Sequence, residues 1–177
     1  MKKIIILICL VSIFALSACA LKLPKLKVEK EITIFEIMKI GLRHDQNFVN
    51  KFEFGGDIYK TVDKDNLQNI FYPAWKSILF NEWSVTEWNN RFQCNAFAIK
   101  FVGDAGAKFY SDNWHSYSKA ESPAIGFVYY NIGGNGIRHA VVWFVASDYK
   151  IYGLEPQNGK VFEFTDAEFK SMGTKNI

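Results

Sequence analysis

The sequence predicts an α+β fold, with helices first and an antiparallel meander after them. Apolar residues recur at helical spacing in several stretches up to about Gly103. After Pro123 the pattern changes to period two, broken by short polar turns. The 177 residues hold no internal repeat and no low-complexity tract, so they make one domain with a real core.

Taken in order, "EITIFEIMKIGLRH" (Glu31 to His44) carries its apolar residues at helical spacing and predicts a first helix. "FEFGGDIYKTVD" (Phe52 to Asp63) alternates around Gly55 and Gly56 and predicts a hairpin. Asp65 caps a helix from Asn66 to Trp75, bent or ended by Pro73. Ser77 to Phe92 is rich in aromatics and reads as a short helix and a loop. Cys94 to Gly103 predicts a helix with a stripe of Phe97, Ala98 and Phe101, and Gly103 to Pro123 reads as mostly loop. Strands follow at Ala124 to Ile132, Ile137 to Ala146, Ile151 to Pro156 and Val161 to Phe164. Their turns are "GGNG" (which needs positive φ), "SDYK" and "QNGK", and Asp166 starts a short last helix. The aromatics read as core, with "FYPAW", Trp83 and Trp88 flanking the loop before Cys94. Trp143 and Phe144 alternate faces, so one of them is expected in the core.

The N-terminus is expected to lie outside the fold. Lys2 and Lys3 precede an apolar run, Ile4 to Leu16, of the length of a signal-peptide core and shorter than a membrane span. The run closes on "LSAC", ending at Cys19. This resembles the lipobox of bacterial lipoproteins, and the resemblance implies cleavage before Cys19 and a lipid on its sulfur. The division is then a signal peptide over 1–18, the lipidated cysteine and a tether over 19–30, and one domain over 31–177. The tether, "LKLPKLKVEK", alternates lysine with apolar residues and reads as a linker weakly drawn to anionic lipid. Ala20 after Cys19, with no Asp, resembles lipoproteins sorted to the outer membrane of bacteria that have one. The expected location is the bacterial cell envelope.

Cleavage removes Cys9, and lipid blocks Cys19. Cys94 is left without a partner, so no disulfide framework is available. Net charge falls from +3 to +1 as Lys2 and Lys3 leave, which gives no electrostatic reason to bind nucleic acid. One free cysteine and three scattered histidines show no ligand spacing, so neither metal nor cofactor is expected.

A cysteine nucleophile needs a thiol that loses its proton, a base within reach, and a group that orients the base. Cys94 stands where the helix starts, where unpaired backbone N–H groups and the helix dipole favour a thiolate. The same N–H groups can hold an oxyanion. His139 sits near the start of a strand. Glu155 sits near the end of the next and lies close to opposite it in an antiparallel pair turning at Ser147 to Lys150. Each has a bland alternative: a buried inert cysteine, a structural histidine, a surface glutamate before Pro156. The three together, in this order and on these elements, favour the chemistry. His115, in the polar "NWHSYS", is a distant second as base, and His44 ends a helix.

The blocks "CNAFA", "RHAVVWF" and "YGLEPQNG" resemble the papain-like cysteine hydrolases. More narrowly they resemble the papain-like C-terminal domain of a fungal agglutinin, and the bacterial transglutaminase-like cysteine peptidases carry comparable blocks. The resemblance spans about Tyr72 to Phe164. It implies a papain-like domain with Cys94 as nucleophile, His139 as general base and acid, and Glu155 as the orienting group. Gln93, or a residue of the loop before it, lends an oxyanion donor. Relatives often carry acids right after the cysteine, which bind calcium in the agglutinin; Asn95 and Ala96 stand there instead, and calcium is not carried over. The implied activity is hydrolysis of a peptide or isopeptide amide by a membrane-anchored, monomeric lipoprotein. Cell-wall amide hydrolysis, as in the CHAP amidases, is the alternative substrate class. A binding or exclusion lipoprotein with relict residues is the non-enzymatic one.

Overall fold

A computed structural model describes residues 22–51, 56–84, 93–113 and 122–173, apart from the side chains at 49, 82 and 83. The expected signal segment, Cys19, residues 52–55, Trp88 and His115 lie outside the described residues. The fold is α+β, with seven strands in two sheets among those described.

The chain opens differently from the sequence expectation. Strand β1 (Val28–Thr33) occupies the end of the expected tether and the start of the expected first helix. Leu26 is buried and Leu23 packs against the core, so this part of the segment is docked rather than a free linker. Helix α1 (Ile34–Leu42) begins only at Thr33, whose hydroxyl accepts from the Glu36 N–H while Glu36 reaches back to the Thr33 N–H. This capping box fixes the start after the β-branched run Ile32–Ile34. A 3-10 turn (Phe48–Lys51) follows.

Strand β2 (Ile58–Val62) pairs antiparallel with β1, and the first arm of the hairpin expected over Phe52 to Asp63 lies outside the described residues. The short β3 (Ser122–Pro123) joins β2 in parallel. Asp63, not Asp65, is the next N-cap, accepting from Asn66. The helix then runs through Pro73 in three pieces: α2 (Lys64–Asn66), a π turn (Leu67–Phe71) and α3 (Tyr72–Trp83). The Tyr72 N–H reaches back to the Leu67 carbonyl. That widened turn directly precedes Pro73, which sits in the first turn of α3, where its missing N–H costs little.

Helix α4 (Cys94–Asn113) is twice the expected length and passes through Gly103 and Gly106. A Cβ at either glycine would meet nothing, so both face open space. The pairs Lys100–Asp104 and Lys108–Asp112 span one turn each and support the helix where the apolar pattern thins.

The second sheet runs in the order β4 (Ile125–Asn131), β5 (Arg138–Val145), β6 (Ile151–Leu154), β7 (Val161–Glu163), antiparallel throughout. A 3-10 turn with Gly133 and Gly134 at positive φ joins β4 to β5. Helix α5 (Asp166–Ser171) closes the described chain behind a second capping box, Thr165 with Glu168.

Both faces of this sheet are covered. Ala140, Val142 and Phe144 pack with Phe97, Ala98 and Phe101 of α4 and Phe71 and Trp75 from the preceding helix. Val141, Trp143 and Val145 pack on the other face with Ile37, Ile40, Phe48 and Phe169. A strand buried on both sides reads as the unbroken apolar run "AVVWFVA". Trp143 and Phe144 are therefore both core, one in each layer, where only one was expected.

Candidate active site

Cys94 is the first residue of α4, half-buried, free, and packed against the α4 side of the core. Gln93 precedes it with an exposed side chain, and its carbonyl accepts from the Phe97 N–H to close the first turn. The Asn95 side chain takes the Ala96 N–H at 2.9 Å.

His139 is the second residue of β5. Its Nε2 donates to Glu155 Oε2 at 2.5 Å, and both side chains are mostly buried. Glu155 follows β6. The register places Val142 opposite Leu154, so Val141 would face Glu155 and His139 lies one step along the diagonal. The expected near-direct pair is thus a diagonal pair on one sheet face. Tyr130, directly across from His139, stands edge-on to the imidazole at 6.1 Å between ring centres.

The acid is held from its other side as well. Glu155 Oε1 accepts from the Gln157 N–H at 3.1 Å. Its carbonyl accepts from Gly159 at 2.7 Å, in a turn that folds back to Lys160. Gly159 has φ +79°, and a Cβ there would lie 2.4 Å from the Tyr72 ring. Only glycine suits both demands.

Alternation along β5 sets His139 on the face of Tyr130 and Val141, while α4 packs on the other face. Among the described residues no hydrogen bond joins the thiol to the imidazole. Lys76 connects the two halves instead. Its Nζ donates to the Gln157 carbonyl at 2.5 Å and lies 5.3 Å from the centre of the Phe97 ring, one turn into α4 from Cys94. Tyr72, one turn before Lys76 on α3, covers the same loop. Burial, with the Glu155 carboxylate nearby, pushes its hydroxyl up to about 12. Burial, then the charges of Glu168 and Glu155, does the same to Tyr130, also to about 12.

Sequence reasoning missed Tyr72, Lys76 and Gln157. The spacing of Tyr72 and Lys76 is a one-turn signal only if the helix continues through Pro73. His44 also has an acid partner, Asp166 at 2.9 Å from Nδ1, and stacks on Phe169, but no thiol lies on those elements. Among the described residues no three His, Cys, Asp or Glu side chains gather as a metal site. No helix among them is long and apolar enough to cross a membrane.

No protein-family model matches the chain, and no curated protein matches it either. Solved structures do. The Polyporus squamosus lectin, crystallised with the human-type influenza-binding epitope Neu5Acα2-6Galβ1-4GlcNAc, aligns over 80% of this chain at 18% identity and a TM-score of 0.56. A complex of PSL1a with E64 aligns over 81% at 18% identity and 0.55. The match covers 47% and 49% of those chains, so this protein spans about half their length. The α+β fold is therefore one it has in common with part of a fungal lectin chain.

Proposed function

We propose that the chain is a membrane-anchored lipoprotein of the bacterial envelope carrying a papain-like Cys-His-Glu thiol hydrolase, lipidated at Cys19 and acting on a peptide or isopeptide amide. The observation that carries the reading is the His139–Glu155 bond. It occupies Nε2 with a carboxylate that is itself fixed, and leaves Nδ1 without a hydrogen bond among the described residues. Cys94 stands at the start of a 20-residue helix on the neighbouring layer. In the proposed reaction the Cys94 sulfur attacks the amide carbon and its proton passes to His139 Nδ1. Glu155 steadies the imidazolium, and N–H groups of the first turn of α4, with Gln93 or the loop before it, hold the oxyanion. The imidazole returns the proton to the leaving amine, and water then cleaves the thioester. Thiol and Nδ1 must come within hydrogen-bond reach, a contact that in many enzymes tightens only with substrate bound.

E64, a thiol-alkylating epoxide found with one structural neighbour, is a suitable probe. The full chain is expected to take up one E64, and Cys94→Ala to take up none; equal labelling of both overturns the reading. A peptidoglycan amide is the alternative substrate, distinguished by release of muropeptides from purified sacculi that Cys94→Ala does not release. The name of the lectin neighbour favours a second reading, a non-catalytic binding protein on the same fold. A wild-type chain that ignores E64 but retains the Neu5Acα2-6Galβ1-4GlcNAc trisaccharide would point there.

A further inference from the structure

We propose that Lys76 is a positioning residue that holds the His139–Glu155 pair in register with the Cys94 helix; this rests on the thiol-hydrolase reading. The thiol and the imidazole come from opposite layers of one sheet, so the fold needs a tie between them at the sheet's end. Lys76 reaches both sides. Its ammonium donates at 2.5 Å to the carbonyl of Gln157, whose own N–H holds Glu155 Oε1 at 3.1 Å. It also lies over Phe97, a fully buried side chain three residues after Cys94. A cation over a ring face in a partly desolvated place is held there by the ring's charge distribution. Tyr72, four residues earlier on the same helix, presses its ring against Gly159 in the same loop. Two residues one turn apart on α3 therefore brace the loop that carries the orienting acid.

The geometry makes a specific demand. Without the ammonium, the Gln157 carbonyl loses a charged donor and the Glu155 loop is free to shift against α4. A misplacement of about 1 Å in such a group slows reaction on the order of 10²-fold. Removing Lys76 therefore acts on the thiol through Glu155 and His139, not by touching a substrate.

The test follows alkylation of Cys94 by iodoacetamide in the full chain at neutral pH, beside free cysteine under the same conditions. The wild-type rate is expected to exceed that of free cysteine. Lys76→Met keeps the apolar stem and is expected to slow alkylation about 10-fold or more, toward the rate of free cysteine. Lys76→Arg, which keeps a charged donor, is expected to restore most of the rate. Lys39→Met, which removes an ammonium from the exposed side of α1, is expected to change nothing. If Lys76→Met fails to fold, Lys76→Gln stands in with the same expectation. A Met variant as fast as wild type, or no slower than Lys39→Met, overturns the positioning role. A wild-type thiol no faster than free cysteine overturns the hydrolase reading itself, and the positioning role with it.

Discussion

Glu155 is the residue on which the candidate site turns, because each carboxylate oxygen has its own donor, one from His139 and one from Gln157. A carboxylate so held can favour an imidazolium without moving. Glu155→Gln keeps the size and removes the charge. The rate of E64 inactivation is expected to fall on the order of 10²- to 10⁴-fold, as when the orienting acid of a triad is made an amide. The Gln157 N–H can still be satisfied, so the urea midpoint is expected to move little. A variant that reacts as fast as wild type would reduce the His–Glu bond to a structural one. At this scale the site was partly legible. Cysteine, histidine and glutamate stand out because each residue type has a chemical role of its own. Lys76 does not stand out: a lysine on a helix has the same local sequence whether it faces water or a carbonyl 81 residues away.

At the scale of elements, the packing of α1 sets two opposed effects against each other at Gly41. Glycine inside a helix costs about 1 kcal/mol relative to alanine. A Cβ at Gly41 would, however, lie 2.2 Å from the ring of Phe48, which is fully buried. Overpacking of this kind costs about 1–3 kcal/mol. Gly41→Ala is therefore expected to lower stability by about 1 kcal/mol net, read as a lower urea midpoint at unchanged slope. An unchanged or raised midpoint would mean that Phe48 moves aside freely. The strands of the second sheet were legible because each is short, β-branched or aromatic, and bounded by a polar turn. The pairing of β2 with β1 and with β3 was not. It is set by contacts between residues 25 or more positions apart, and β3 is only two residues, Ser122 and Pro123. Nor was the full length of α4, since Gly103 and Gly106 read as breakers and are tolerated because both face open space.

For the molecule as a whole, the two buried hydroxyls make a prediction in alkali. Tyr72 and Tyr130, held near 12 by burial, keep their protons between pH ~10 and ~12, while the unfolded chain gives them up near pH 10. The unfolded state binds fewer protons in that window, so stability falls as pH rises through it. The loss is up to about 3 kcal/mol per tyrosine and is complete above the folded values. Burial, helped by the Asp148 carboxylate that accepts from its hydroxyl at 2.6 Å, raises Tyr152 in the same direction. Urea midpoints are expected to be flat from neutral pH to about 9.5 and to drop steeply beyond pH 10. A flat profile to pH 12 would mean that these hydroxyls ionise in the folded chain as they do in water. The core layer that shields Tyr72 and Tyr152 also receives Leu23 and Leu26. If Cys19 carries the lipid, only residues 20–22 lie between the anchor and the first docked side chain. Four residue steps at full stretch span about 14 Å. On so short a leash the domain would ride against the bilayer, its Leu23 edge never more than about 14 Å from the lipid that holds it.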